Sequence, residues 1–281
     1  MARSISGKAK VAGVAGWPIA HSRSPRLHTY WLERHGIDGL YVPLAIPPEH
    51  FVATVRLLPA LGFRGINVTI PHKEAAFAAV DTCDEVARRL GAVNTILVEE
   101  NGRTLGRNTD GHGFLENLRD QAKSWSSTRP TVVLGAGGSA AAVVDALLGA
   151  GVPEIRLLNR TVSRAEQLAS RFGPRVRVHP WDERSAVLEG AGLLVNTTSL
   201  GMTGQPGLDI ALDRLGGHAV VADIVYVPLE TPLLREARRR GLAAVDGLGM
   251  LLHQGRPGFS GWFGVLPEID DDLRRYMLEG L

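Results

Sequence analysis

One stretch, TVVLGAGGSAAAVVDALLGAGVPEIRLLNRTVSR (residues 131–164), constrains the fold more than any other. Residues 132–134 are a short β-branched and aliphatic run, as a strand covered on both faces requires. Gly135, Gly137 and Ala140 then fit the spacing G-x-G-x-x-G/A. The first glycine permits a tight turn, the second lets backbone approach a pyrophosphate, and the small third residue lets helix pack close to strand. The alanine-rich run that follows is a good helix former. Its amino end offers free N–H groups and the positive end of the helix dipole to a diphosphate. A second aliphatic run, 155–158, completes a strand–glycine turn–helix–strand unit. In that setting the glycine pattern reads as a dinucleotide site, whereas alone it would be a weak signal.

The residues after the second strand bear on which dinucleotide. An NAD site places Asp or Glu there to bond the ribose hydroxyl. Here Asn159 is neutral, and Arg160, Thr161 and Arg164 can donate to a 2′-phosphate. Two charge-assisted bonds at about 1.5–3 kcal/mol each favour NADP(H) by roughly a hundredfold or more. The bland alternative is that these arginines are solvated surface charges.

Composition narrows the class. The 281 residues suffice for two medium domains, and a net charge of +2 gives no basic face for nucleic acid. The lone Cys83 excludes an intramolecular disulfide and fits a reducing, cytoplasmic compartment. The segment MARSISGKAK lacks the apolar core of a signal peptide, and no apolar run is long enough to span a membrane. The histidines are scattered, with no His/Cys or HExxH spacing, so no metal is expected. Strands alternate with helices along most of the chain, which predicts α/β architecture with mainly parallel sheets. Asn101-Gly102 signals a hairpin. Ser24 before Pro25 reads as a helix N-cap, Arg238, Arg239 and Arg240 end a helix, and Pro257 is expected to kink or break the last long one. The division expected is a substrate domain of residues 1–109 and 247–281 around a Rossmann-like domain of residues 110–246.

Nine short motifs run in order: HSRSP, NVTIPHK, GAVNT, NTDG, GAGGSA, NRTVSR, NTTS, DIVYVPLETPL and GLGMLLHQ. Together they resemble the NADP-dependent shikimate dehydrogenase family over almost the whole chain. The resemblance implies reversible reduction of 3-dehydroshikimate to shikimate, a step of chorismate and aromatic amino acid biosynthesis. It implies Ser22 and Ser24 as ligands of the substrate carboxylate, with Thr69, Asn94, Tyr226 and Gln254 as further substrate contacts. Lys73 and Asp110 match the acid/base pair, and both also contact substrate. It places the cofactor at Gly135, Ala136, Gly137, Gly138 and Ser139, at Asn159, Arg160, Thr161 and Arg164, and at Ile224, Gly247 and Glu85. Many members carry methionine where Ile224 stands, a difference that touches nicotinamide packing. His72 receives no role.

Each residue has a plainer reading. Ser24 and Asp110 suit helix caps, Asn94 a strand edge, Tyr226 simple packing, and Gln254 and Lys73 solvated surface. Ser22 alone has no such local use. A carboxylate beside Lys73 favours its ammonium form, which suits an acid more than a base. Three rival functions remain at this point: a quinate/shikimate dehydrogenase using NAD or NADP, a non-catalytic sensor of nucleotide and carboxylate, and a folate-linked dehydrogenase. Neutral Asn159 argues against the first, Lys73 with Asp110 against the second, and the SxSP and GLGML motifs against the third. Oligomeric state stays open between monomer and homodimer.

Overall fold

A computed structural model of the chain describes residues 5–279; the start of MARSISGKAK and the last two residues of the C-terminal segment lie outside the described residues. The backbone divides into two compact units, one running to Thr109 and resuming at Gln254, the other Asp110–His253.

The first unit opens with β1 (Lys10–Gly16), α1 (Ser24–Arg34), β2 (Gly39–Ala45), α2 (Pro48–Leu57), β3 (Phe63–Val68) and α3 (Lys73–Ala79). It continues with β4 (Thr82–Cys83), α4 (Glu85–Leu90), β5 (Thr95–Val98) and β6 (Thr104–Arg107). The sheet order is β2-β1-β3-β5-β6-β4. β1 pairs in parallel with β2 and β3, as strand–helix alternation predicts. β5 runs antiparallel to both β3 and β6, and the Asn101-Gly102 hairpin makes the β5–β6 reversal with no crossover helix. The two-residue β4, which the sequence pattern does not reveal, adds in parallel to β6. One face of the sheet buries Phe51, Val55, Leu58, Ile66 and Val68. Elsewhere in the unit Leu27, Trp31 and Leu32 of α1 are fully buried, and Trp31 packs edge-on to Phe259.

The second unit contains α5 (Asp110–Gln121), β7 (Thr131–Leu134), α6 (Gly138–Gly149), β8 (Ile155–Leu158), α7 (Val162–Phe172) and β9 (Val176–His179). β10 (Leu193–Asn196), β11 (Val220–Asp223), α8 (Pro232–Arg239) and β12 (Ala243–Val245) follow. Its sheet order is β12-β11-β10-β7-β8-β9, with every pairing parallel. The chain moves outward from β7 to β9, then returns to build β10 to β12 on the other side of β7. That reversal opens a crevice at the carboxyl ends of β7 and β10, where ligands bind in such sheets. Val132, Leu134, Leu194, Val221 and Leu234 fill the core.

α9 (Leu248–Phe263) carries the chain back into the first unit, and α10 (Asp271–Leu278) closes it. Here two expectations change. Pro257 lies inside α9, which neither breaks nor ends there. Leu252, Phe259, Trp262 and Phe263, on both sides of it, are all buried, and their packing outweighs a proline cost of about 3 kcal/mol. The crossing falls between His253 and Gln254, not at residue 247. The start of α9 belongs with α5: Asn117 Nδ2 donates to Asp246 O at 2.7 Å, and a Cβ on Gly249 would strike Asn117 Oδ1. Arg238, Arg239 and Arg240 do end a helix, but they also pair with Glu230, Glu236 and Asp213.

Among the described residues no helix is long and apolar enough to cross a membrane, and no group of His, Cys, Asp and Glu could hold a metal ion.

Candidate active-site residues

In the first unit, Ser22 and Ser24 lie where β1 gives way to α1. Ser24 is the first residue of α1, with Arg23 at the cap position and no side-chain cap. The Ser22 hydroxyl instead accepts the Ser24 N–H at 3.3 Å. The two readings therefore exchange: Ser22 has the local structural use, and the buried Ser24 hydroxyl has no capping duty.

Thr69 follows β3 and donates its N–H to Ala15 O at 2.9 Å, which fixes it beside the end of β1. Half-buried Lys73 is the first residue of α3. A cation there opposes the helix dipole, so helix energetics alone do not explain it. His72 is structural: Nε2 lies 2.8 Å from Ile46 O, the ring stacks on Phe51, and burial lowers its pKa.

Asn94 is the most heavily bonded of the set. Its Oδ1 accepts the Thr109 N–H at 2.9 Å, and its Nδ2 donates to Thr109 Oγ1 at 3.0 Å and to Gln254 Oε1 at 3.4 Å. Thr109 Oγ1 donates to Gln254 O at 2.9 Å. Behind Asn94, Asn67 Nδ2 donates to Asn94 O at 3.2 Å and to Thr95 Oγ1 at 3.0 Å, and the Tyr41 hydroxyl donates to Asn67 Oδ1 at 2.6 Å. All these side chains are buried, so the low local dielectric strengthens the network and fixes its shape. Glu85, by contrast, opens α4 as an exposed residue.

In the second unit Asp110 is buried in the first turn of α5, where an acidic residue complements the dipole. Gly135 follows β7 with φ +110°, and a Cβ there would lie 2.6 Å from Thr197 Oγ1, so no other residue fits. Thr197 Oγ1 donates to Leu134 O at 2.7 Å, which joins the two loops at the strand-order reversal. Gly137 caps α6 without a side-chain bond, and a Cβ on Gly137 or Gly138 would meet nothing. The backbone at the amino end of α6 is thus bare, with half-buried Ala136 and Ser139 beside it and fully buried Ala140 packing the helix down.

Past β8, Asn159 Nδ2 donates to Thr161 O at 2.8 Å, which braces the turn into α7. Arg160, Thr161 and Arg164 are exposed, and neither guanidinium has a partner among the described residues. Bare helix N–H groups, two uncommitted guanidiniums and no acid after the second strand fit a dinucleotide bearing an extra phosphate. Half-buried Ile224 donates its N–H to Asn196 O at 3.1 Å. Gly247 passes so close that a Cβ would lie 2.3 Å from Ile224 O. Tyr226 is half-buried in the same segment.

Comparison with known proteins agrees with this division of labour. The family description "Shikimate dehydrogenase substrate binding domain" matches residues 14–96, and "Shikimate / quinate 5-dehydrogenase" matches residues 117–202. A relative from Rhodospirillum rubrum, named Shikimate dehydrogenase (NADP(+)), is 60% identical over 279 residues, 98% of this chain and 99% of its own. The chain belongs to the shikimate dehydrogenase family. Shikimate 5-dehydrogenase from Thermus thermophilus, solved in complex with NADP(H) and shikimate, is 38% identical with a TM-score of 0.86, covering 97% of this chain and 100% of its own. Quinate dehydrogenase from Corynebacterium glutamicum, solved in complex with NAD, is 30% identical with a TM-score of 0.89, covering 96% and 99%.

Membership gives the motifs a shared function but leaves several of their residues without a role. Asn67 opens NVTIPHK, Thr95 ends GAVNT and Thr109 lies in NTDG, yet sequence reasoning passed over all three. Each is a buried polar group in the Asn94 network. The available signal was an uncharged polar residue inside an otherwise apolar strand motif, which must find a partner when buried. Asp223, at the head of DIVYVPLETPL, is a further buried polar group that sequence reasoning passed over.

Proposed function

We propose that this protein is an NADP-dependent shikimate dehydrogenase, reversibly reducing 3-dehydroshikimate to shikimate. The observation that carries the reading is near-full-length similarity to a relative of that name, and the residue chemistry of each unit supports it. NADPH, when bound, supplies the hydride.

The chain's own residues do the rest. Ser22 and Ser24 hold the substrate carboxylate, and Thr69, Asn94, Tyr226 and Gln254 bond its hydroxyls. The Asn94 network is already set, so binding spends little free energy on ordering it. Lys73 Nζ donates a proton to the C3 oxygen as it becomes an alkoxide, and Asp110 is the other member of the acid/base pair. In the reverse direction Lys73 takes that proton back from the hydroxyl. In the second unit Gly135, Ala136, Gly137, Gly138 and Ser139 receive the pyrophosphate. Asn159, Arg160, Thr161 and Arg164 receive the adenosine phosphate, and Ile224 with Gly247 bounds the nicotinamide side; Glu85 is a further contact. We place the enzyme in the cytoplasm, as a monomer or homodimer.

The test is loss of the NADPH absorbance band with 3-dehydroshikimate, then its appearance with quinate and NAD or NADP. Turnover of 3-dehydroshikimate supports the proposal. Faster turnover of quinate with NAD replaces it with the quinate reading, which similarity to the Corynebacterium enzyme keeps in view. Binding without turnover of either leaves a sensor.

A further inference from the structure

β10 and β11 lie side by side and end at Asn196 and Asp223. Beyond those ends run two segments, 197–199 and 224–226, at the carboxyl edge of the sheet. One carboxylate grips both. Asp223 Oδ1 accepts from Asn196 Nδ2 and from the Val225 N–H, each at 3.0 Å, and Oδ2 accepts from Thr231 Oγ1 at 2.7 Å. Asn196 passes the hold outward. Its Oδ1 accepts from Thr198 N–H at 3.0 Å and from Thr198 Oγ1 at 2.7 Å, and its Nδ2 also donates to Leu200 O at 3.1 Å. Thr197, within this braced loop, is the residue against Gly135. Thr231 meanwhile caps α8, accepting the Leu234 N–H at 3.3 Å.

Asp223 is 2% exposed, and Asn196 and Thr231 are fully buried. Strand pairing uses backbone alone and needs no charge here. What an ionised carboxylate does better than a neutral group is accept from three donors at once.

We propose that Asp223 is a positioning residue of the cofactor site, its carboxylate holding segments 197–199 and 224–226 in the shape that binds the nicotinamide dinucleotide. The inference rests on the reading of the 110–253 unit as the NADP-binding one.

Charge on this group is conditional. Burial pushes the Asp223 carboxyl up to about 6, against the opposing hydrogen bonds from Thr231, Val225 and Asn196. Those three groups, from α8, the turn after β11 and the end of β10, are not titratable. The titratable residues near it in chain or register are Tyr226, Glu230 and Asp246. Glu230 pairs with Arg235 and Arg238, Asp246 Oδ1 accepts the Leu248 N–H at 3.0 Å, and no charged neighbour contributes to the Asp223 shift. Protonation turns one acceptor oxygen into a donor, so Thr231 must redirect its own proton and the three-way hold is lost.

The experiment is NADP+ binding by calorimetry on the full chain, for wild type and Asp223→Asn, between about pH 5 and pH 7.5. The variant imitates the protonated carboxyl. Its Kd is expected to exceed that of wild type roughly tenfold at the upper pH and to converge on it at the lower one. Titration of the cofactor's own phosphate cancels in this ratio. A ratio that stays constant with pH, or stays at one, overturns the proposal. Thr231→Ser and Thr231→Val test it without altering Asp223: the serine keeps the donor and wild-type affinity, and the valine loses several-fold at the upper pH. Equal affinity in these two also overturns it. Wild type that fails to bind NADP+ overturns the underlying reading together with the inference; normal wild-type binding with a flat ratio overturns the inference alone.

Discussion

The two units hold their candidate site residues by opposite means. In the first, the recognition groups are side chains, buried and already bonded to one another: Asn94 to Thr109 and Gln254, with Asn67 and Tyr41 behind. In the second, they are bare backbone at Gly137 and Gly138 and exposed guanidiniums at Arg160 and Arg164. The difference follows from the ligands. A small polyhydroxy acid must be recognised atom by atom, which demands donors and acceptors fixed beforehand. A long anionic dinucleotide is held by many N–H groups and charges, each replaceable in part. Single changes should therefore be severe in the first unit and graded in the second.

The largest expected effect tests the severe side. Lys73→Ala should lower kcat by about a thousandfold with little change in KM, as for a proton donor used in the transition state. Unchanged kcat with raised KM would make Lys73 a binding residue and dissolve the contrast. Next, Arg160→Ala combined with Arg164→Ala should cut kcat/KM for NADPH by roughly a hundredfold while sparing NADH. The NADPH/NADH ratio is the readout, and a constant ratio would show these arginines to be solvated surface.

The third prediction concerns the packing under the first site. His28 is fully buried and stacked on Tyr41, and its ring nitrogens make no hydrogen bond among the described residues. Burial pulls its pKa down to about 3, opposed only in part by the neighbouring Asn67. The unfolded chain takes up a proton on this histidine below its ordinary value of about 6.5, and the folded one does not. Stability is thus lost as pH falls from 6.5 toward 3. His28→Phe keeps the stack and should remove about 2 kcal/mol of that loss by pH 5, seen in urea unfolding at both pH values. An acid limb identical to wild type would show that His28 is already protonated in the fold. Smallest are the serines. Ser24→Ala should raise KM for 3-dehydroshikimate roughly tenfold and lower Tm, because its buried hydroxyl bonds Tyr41. Ser22→Ala should raise KM and also lower Tm slightly, because its hydroxyl accepts the Ser24 N–H. An unchanged Tm in Ser22→Ala would show that its bond to the Ser24 N–H carries no structural weight.

Much of this was legible before any coordinates. The glycine turn, the neutral Asn159 and the Asn101-Gly102 hairpin each follow from local chemistry, and local chemistry is what a sequence displays. Features that depend on distant neighbours were not legible. Asp223 acquires its meaning only once β10 and β11 are known to be adjacent, since its partner Asn196 is remote in the chain. His28 reads as an ordinary helical residue until Tyr41 is found stacked on it. Pro257 broke a local rule that packing at Phe259 and Trp262 overrode. The roles of Ser22 and Ser24 turned on where the helix begins and which N–H each hydroxyl meets, a detail of local geometry that spacing does not encode.

The passage of the chain through its units has a consequence for biosynthesis. Residues 110–253 are contiguous and can fold as soon as they leave the ribosome. The earlier unit cannot finish, because Gln254, Phe259 and Trp262 are translated after residues 110–253. Until then His28, Trp31 and Tyr41 lack the aromatic cover they later receive from α9. The nascent protein therefore carries a sticky, half-built lobe through most of its synthesis, and this is the surface that chaperones would be called on to shield.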